Sequence, residues 1–586
     1  MVRDRNASHA AAPGRGFAGS LERFAVAGLL ALFGAAWYAT AWVSDDAFIT
    51  LRTIDNALAG HGLVWNVGER VQTYTHPLWM LALLVASAPL GEPYFAALAL
   101  GGVCTALTLG LLVRRIAASL PSALLVLALL FGSRAFIDYS SSGLENPLAH
   151  LLLVGLFVAC ARVASDRRTQ LVRGLLACSL LLVRLDFAFL IAPLLLGAWS
   201  RDGFPAVRTL VVAGLPLLAW ELFSLVYYGA WIANSALAKL SADVPLAARW
   251  LQGGHYLLAM LRGDPVSAVL LVAGLTAGIR VGSIGRWASA AIVGQLGWVV
   301  WVGGDFMAGR FLTAPLVLAA ALVAHAPVPP PLARAAAALL VVAVLGIPYL
   351  SPFAARDYGE TWHAAIDDRG IADERSFHRT TTSLRAVLGD GGWRTQEARE
   401  SAQHTRENYY LDPWIESLTS VGVLDEGEAW PPRDAAAAAA QTPVLVKGGV
   451  GLLGVRMGPE VVLVDYHGLG DPLLARLPAL PRDPVLANLI PRLAHLDWRV
   501  GHYLRPVPAG YVVSRATDEN RIVDPDLSHV YENLRRVTGG PLWSRERLAA
   551  IVALHSPGTR SAIQRYVARA APYQRGPAAR EPVSSR

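Results

Sequence analysis

Between residues 24 and 350 the chain returns again and again to apolar runs of helical length, separated by short turns in which arginine collects. Beyond residue 350 no such run occurs. Few folds are open to a chain of this kind. In a bilayer every backbone N–H and C=O must find its partner within the protein, so runs of this length read as helices of a membrane bundle. The composition agrees: 54% hydrophobic residues, 16% charged and a mean hydropathy of +0.41 belong to a polytopic membrane protein.

The arginines orient the bundle. Residues 1–23 are polar and basic and read as a cytoplasmic tail, and 24–43 as a first span, inside to outside, too long for a signal-peptide core. The next apolar piece, Pro77–Leu90, is too short to cross. Counting it as a span would place Arg114 and Arg115 outside, against the positive-inside rule; as a re-entrant helix it restores the pattern downstream. Further spans then fall near 94–113, 119–134, 147–164, 172–184, 187–200, 207–228, 264–280, 287–302, 311–326 and 333–350, about eleven in all. The arginine-bearing turns, among them Arg162, Arg173, Arg201, Arg280 and Arg334, all become cytoplasmic. Residues 351–586 become an extracytoplasmic mixed α/β domain, with short strands at 444–446 and 461–464 and helices at Arg545–Leu554 and 561–570. Residues 431–440 read as a loop running into a helix, and the chain after Pro572 as a frayed basic tail. The net charge of +7 is largely cytoplasmic arginine, which gives no reason to expect a nucleic-acid partner. Cys104, Cys160 and Cys178 lie in spans and form neither a disulfide framework nor a zinc pattern.

Chemistry concentrates in residues 44–79, the first extracytoplasmic loop (44–93). Ser44 reads as a helix N-cap, Asp45 and Asp46 as first-turn residues, and Val43 with Phe48 as a hydrophobic staple. Phe48, Leu51, Ile54 and Leu58 recur at helical spacing until Gly60 and Gly62 stop the helix. A polar loop follows with His61, Glu69, Arg70 and His76 among aromatic residues. The two aspartates could serve only the helix dipole, worth roughly 0.3–1 kcal/mol each, but dipole capping does not account for the rest of the loop. Two carboxylates at the end of a span point instead to a site.

Further polar loops fall on the same side: SSGLENPL with Glu145, VRLDF with Arg184 and Asp186, YYGAWIANSALAKL with Lys239, GGDFMAGRF with Asp305 and Arg310, and DYHGLGDP with Asp465, His467 and Asp471. Each has a structural alternative. Arg184–Asp186 can be an ion pair, Asp305 and Arg310 an interfacial turn, Glu145 a helix-dipole partner, and His467 and Asp471 supports of the outer fold. Their convergence suits glycosyl transfer from a lipid-linked phosphosugar. A carboxylate at the interface takes the acceptor proton or stabilises an oxocarbenium-like centre, and cations hold the leaving phosphate. No P-loop or dinucleotide fingerprint is present.

DDAFITLRTIDNALAGHGLVWNVGERVQ resembles the first extracytoplasmic loop of the GT-C superfamily of polyprenyl-phosphate-dependent glycosyltransferases. More narrowly, it is similar to the terminal β-(1→2)-arabinofuranosyltransferases of the mycobacterial envelope. The resemblance extends to SSGLENPL, LVRLDFAFL, YYGAWIANSALAK, GGDFMAGR, RGIADERSF and LGVRMGPEVVLVDYHGLGDPL, in order. It implies a decaprenyl-phosphoryl-arabinofuranose donor, an arabinan acceptor in the cell envelope, a first-loop aspartate as catalytic carboxylate (Asp45 or Asp46), and net retention by a front-face or a double-displacement route. Arg70, His76, Lys239 and Arg310 are then expected around the lipid phosphate, and His61, Glu69, Glu145, Arg184, Asp186 and Asp305 around the sugar and its acceptor. The chemistry requires no cofactor, although a divalent cation is compatible with it. Two alternatives stand beside this reading: a polyprenyl-phosphate hexose as donor, and a non-catalytic envelope or motility accessory protein.

Overall fold

The computed structural model describes residues 20–351, 353, 362–425, 430–432 and 434–574. Most of the basic N-terminal tail, Arg433 and the chain after Gln574 lie outside the described residues.

Every stretch read as a span is helical. The bundle consists of α1 (Ser20–Thr40), α2 (Asp45–Leu58), α3 (Pro77–Leu90), α4 (Pro93–Leu111), α5 (Leu120–Gly132), α6 (Arg134–Tyr139), α7 (Asn146–Ala161), α8 (Arg167–Val183), α9 (Ala188–Asp202), α10 (Val207–Tyr227), α11 (Asn234–Leu240), α12 (Leu246–Gly263), α13 (Pro265–Arg280), α14 (Ser283–Val302), α15 (Thr313–His325) and α16 (Pro330–Gly346). By length and composition Arg23–Thr40, Pro93–Ile116 and Val207–Tyr227 are each able to cross a membrane, and α12 with α13, bent by 108°, forms a broken pair that passes the same test. Shorter apolar helices, α3, α5, α7 and α16 among them, complete a helical membrane protein. The sequence reading gave no helix at α12, because Arg249, Gln252, His255 and Arg262 interrupt its apolar residues.

Helix α15 is the axis of the bundle. From Leu316 to Leu322 every residue has no solvent exposure, the mark of a helix apolar on all sides and enclosed by others. In lipid such close packing relies on small residues rather than on the hydrophobic effect between helices. A Cβ on Gly274 of α13 would stand 2.4 Å from the Ala319 Cβ and 2.6 Å from its Cα, so the two helices meet almost backbone to backbone there.

A second core belongs to the C-terminal part. Strands β1 (Val444–Lys447) and β2 (Val462–Asp465) pair in parallel, Val444 opposite Val462 and Lys447 opposite Asp465, with the helix Val450–Met457 as the crossover between them. The Arg545–Leu554 helix forms with the bounds read from sequence, and the next helix runs Pro557–Arg569. Residues Ala435–Ala439 form the short helix after the Pro431 loop.

Helix α2 joins the two cores. Ser44 caps it, accepting a hydrogen bond from the Ala47 N–H at 3.3 Å. Phe48, Leu51 and Ile54 pack with Trp42, Trp79 and Tyr94 on the bundle side, whereas Ile49 and Trp65 enter the second core. The segment before α2 is clasped as well: Leu384 N–H donates to the Ala41 carbonyl at 2.8 Å and Thr382 Oγ1 to that of Val43 at 2.6 Å.

The packing predicts that Gly274→Leu drives α13 away from α15. Overpacking of this kind costs about 1–3 kcal/mol, read as a lowered melting temperature of the detergent-solubilised protein. An unchanged melting temperature would contradict the close crossing.

Candidate active site

Where the bundle meets the second core lies a cavity of about 630 Å³. Of the residues singled out from sequence, Asp46, His76, Arg184, Asp186, Lys239, Asp305 and Arg310 line it. They come from separate places in the chain: the start of α2, the loop before α3, the break between α8 and α9, the end of α11 and the loop between α14 and α15.

Glu145, one residue before α7, stands behind this wall without solvent exposure and organises it. Its Oε1 lies 3.0 Å from Arg184 Nη1 and 3.4 Å from Arg310 Nη2, and its Oε2 lies 3.4 Å from His76 Nδ1. The side chain makes no capping hydrogen bond at the start of α7; its charged contacts are with the two arginines, and His76 stands beside it. Burial opposes ionisation of Glu145, but Arg310 and Arg184 overcome it and hold the carboxyl well below the usual range. Burial lowers His76 to about 4 in spite of Glu145, so the imidazole is neutral at pH 7, and its Nε2 meets Thr50 Oγ1 at 3.0 Å.

Arg310 spans the site. Its Nη1 is 3.1 Å from Asp46 Oδ2 and 3.6 Å from Asp305 Oδ2. Arg184 pairs with Asp186 at 2.9 Å, as its structural alternative foresaw, and stacks 4.6 Å above the Phe311 ring. Asp186 also accepts from Gln295 Nε2 at 3.0 Å. Asp46 keeps 24% of its side chain open, and enclosure raises its carboxyl to about 6, against the opposing charges of Arg310 and Lys239. It is thus ionised at neutral pH yet close to its midpoint, as a proton acceptor needs to be.

Its neighbour in sequence is used differently. Asp45 Oδ1 and Oδ2 accept from the Leu452 and Gly451 N–H groups at 2.8 and 3.1 Å, capping the Val450–Met457 helix. A Cβ on Gly451 would overlap the Asp45 carbonyl, so only glycine allows this approach. Three other residues singled out in the first loop, Glu69, Arg70 and His61, also lie outside the cavity wall. Glu69 forms a two-pronged pair with Arg515 at 2.6 and 2.8 Å. Arg70 donates to the carbonyls of Val537, at 3.4 Å, and Gly540. His61 is exposed. In the DYHGLGDP loop, Asp465 accepts from the N–H groups of His467, Leu469 and Gly470, and Asp471 from Tyr511 Oη at 2.7 Å, which are structural uses.

Three charged residues of the cavity were not read from the sequence: Arg249, Glu221 and Asp243, the last just after α11. Arg249 of α12 lies against the Trp301 ring at 5.9 Å, with its Nε lacking a hydrogen-bond partner among the described residues. Glu221 of α10 also lines the cavity. A lone acid within an apolar span was the signal for it; Arg249 gave none, lying in a stretch without a span. Arg310 and Arg184 are each held by carboxylates, whereas Lys239 and Arg249 have no ion pair among the described residues. Apolar side chains of α8 and α10, Leu181, Leu182, Leu217 and Trp220, form another wall. No group of three or more His, Cys, Asp and Glu among the described residues is arranged to hold a metal ion.

Fold and cavity together define a class: a helical membrane protein whose charged side chains gather, with an adjoining apolar wall, in one cavity at the end of its bundle. Within that class, the resemblance read from the sequence holds. The chain is similar to the terminal beta-(1->2)-arabinofuranosyltransferase of Mycobacterium tuberculosis, at 29% identity over 519 residues, 77% of this chain and 81% of that protein. It is similar also to the terminal beta-(1->2)-arabinofuranosyltransferase of Corynebacterium glutamicum, at 27% identity over 582 residues, 87% of this chain and 82% of that protein. Among solved structures, ArnT from Cupriavidus metallidurans bound to undecaprenyl phosphate aligns with a TM-score of 0.41 at 13% identity, over 76% of this chain and 90% of that one. No family model matches the chain.

The geometry predicts that Glu145→Gln leaves Arg310 and Arg184 short of their shared counter-charge. Breaking such a buried pair costs about 3–5 kcal/mol, seen as a marked fall in thermal stability in detergent. Wild-type stability of this variant would remove Glu145 as the organiser of the site.

Proposed function

We propose that this chain is a membrane glycosyltransferase that moves a sugar, arabinofuranose in the first instance, from a polyprenyl-phosphate donor to a cell-envelope arabinan. One observation carries the reading: a carboxylate, Asp46, faces a cavity that has on one wall two cations without an ion pair among the described residues, Lys239 and Arg249, and apolar helices on another. The two arabinofuranosyltransferase relatives support the choice of sugar.

The parts divide by chemistry. The polyprenyl chain lies along Leu181, Leu182, Leu217 and Trp220, which bury it as lipid would. Lys239 and Arg249 take the phosphate, since among the described residues neither has a carboxylate partner. Arg70, held by backbone carbonyls away from the cavity, has no part in this. As the bond from the anomeric carbon to the phosphate oxygen breaks, the polyprenyl phosphate departs with the electron pair, and the two cations stabilise its growing charge. Asp46 takes the proton of the acceptor hydroxyl while that oxygen bonds to the anomeric carbon. Arg310 keeps Asp46 ionised and oriented, Asp305 shares Arg310, and Trp298 and Trp301 offer sugar-stacking faces.

The C-terminal part is read as extracytoplasmic above about eleven spans, supported by the arginine-bearing turns at the far end of the bundle. There Arg173 and Asp202 form a buried pair at 2.7 Å. A reporter that works only in the cytoplasm, fused after Arg586, is expected to be silent; its activity would reverse the orientation.

The test is transfer by purified protein in lipid, given polyprenyl-phosphate arabinofuranose, mannose or glucose with short arabinan acceptors. Extension from arabinofuranose alone is the expected result; use of a hexose instead refutes the sugar, and no transfer at all favours an accessory role. Asp46→Asn should lower turnover by roughly 10²–10⁴-fold at unchanged stability. Asp45→Asn should cost about 1 kcal/mol of stability and leave transfer largely intact. Protonation removes the base, so wild-type activity is expected to fall as pH drops through about 6. Near-normal turnover of Asp46→Asn would end this assignment.

A further inference from the structure

A second, smaller cavity of about 320 Å³ opens beside the first. Asp243 lines both, so the two are one residue apart. Asp243 follows α11 and has φ 56°, a left-handed conformation that few residues other than glycine, asparagine and aspartate adopt. The C-terminal part fixes it there: the Ala479 N–H donates to the Ala242 carbonyl at 3.2 Å, and Arg505 reaches the Ala238 carbonyl one turn earlier. The side chain is exposed rather than tied into the fold. Backbone strain held at a junction between two cavities is where a ligand contact is to be sought.

The walls of the two cavities differ in kind. The larger holds Arg184, Lys239, Arg249 and Arg310. Among the described residues the smaller has no lysine or arginine in its wall: besides Asp243 it presents Gln564, Ile563, Val567 and Tyr573, the last with its hydroxyl donating to the Pro478 carbonyl at 2.9 Å. A phosphate would meet the Asp243 carboxylate here with no cation to offset it. A neutral polyhydroxylated ring fits: its hydroxyls donate to Asp243 and exchange hydrogen bonds with the Gln564 amide, and its C–H face lies on Ile563 and Val567.

We infer that the smaller cavity is a second glycan subsite, which holds the acceptor chain one or more units back from its reacting end while the end itself reaches past Asp243 into the larger cavity. The inference rests on the glycosyltransferase reading above and adds to it where the acceptor runs and why length matters. Gln564 is exposed on the Pro557–Arg569 helix and takes no part in the chemistry of the larger cavity, so its replacement leaves the fold in place.

The test compares acceptors of different length with the full-length protein in lipid. For Gln564→Ala, and for Val567→Phe, which fills the cavity, KM for an acceptor of several sugar units should rise roughly three- to tenfold, the value of one or two lost hydrogen bonds or a blocked contact. Turnover at saturation, and all kinetics with a single-sugar glycoside acceptor, should be unchanged. If both variants treat long and short acceptors as wild type does, the subsite is refuted while the glycosyltransferase reading stands. If wild-type protein extends no acceptor of any length, that reading falls and the subsite with it.

Discussion

A carboxylate without solvent exposure at the end of an apolar helix is unstable unless its charge is answered, and that of Glu145 is answered by two arginines from other elements, with the neutral His76 ring of a third beside it. Arg310 precedes α15, Arg184 ends α8 and His76 precedes α3; each must come within about 3.5 Å of one carboxyl group. That requirement fixes the relative positions of four helix ends. Pairs of this kind add little net stability compared with a well-packed apolar core. They discriminate between arrangements instead, because any shift that separates either arginine leaves a buried charge short of its partner. The remaining geometry of the cavity follows from Arg310, which, held on one side by Glu145, presents its other edge to Asp46 and Asp305.

Adjacent residues of a helix point about 100° apart, and α2 uses that angle to serve two masters. Asp45 faces the second core, where it caps the Val450–Met457 helix; Asp46 faces the cavity. Arg52, two turns on, is buried, donates to the carbonyls of Trp65, Gly454 and Val461, and lies 5.6 Å from the Trp65 ring. Asn66 exchanges a pair of hydrogen bonds with the Leu463 backbone of β2, at 3.0 and 3.1 Å. The helix carrying Asp46 is therefore braced by polar contacts from the C-terminal part as well as by the bundle, and a substitution in the second core can act on the cavity through α2.

Much of this was legible in the sequence because its signals were expensive ones. Apolar runs of span length have few alternatives to helix, and a charged residue beside such a run needs a reason, which is why Asp46, Arg184, Asp186, Lys239, Asp305 and Arg310 could be picked out before any geometry was known. The parallel strands were legible for a related reason: two valine-rich runs bounded by glycine and proline have little else to form. What could not be read was direction. His61, Glu69 and Arg70 sit within a few residues of the cavity loop and carry the same chemistry, yet Glu69 and Arg70 are used to pack the first loop against helices more than four hundred residues later in the chain. Local composition is identical for a residue that meets a ligand and one that meets a distant carbonyl. Helix α12 was missed for the converse reason: its polar residues, Arg249 included, broke the apolar run that would have announced it.

The cations of the cavity fall into two sets, and the division is physical. Arg310 is buried and Arg184 half-buried, and each is paired with carboxylates, so a further anion brought to them competes with an existing pair whose opening uncovers the buried Glu145 charge. Lys239 is exposed and Arg249 half-buried, with no such partner to lose among the described residues. An incoming anion gains a charge-assisted contact there without undoing one elsewhere. The paired set therefore holds the frame, and the unpaired set is where an anionic ligand gains most. An anion drawn to that second set stands close to Asp46, whose carboxyl already feels the charge of Lys239. Neutralising Lys239 with a bound phosphate would remove one of the forces that keep Asp46 ionised, and so raise its affinity for a proton in the same step that fills the cavity.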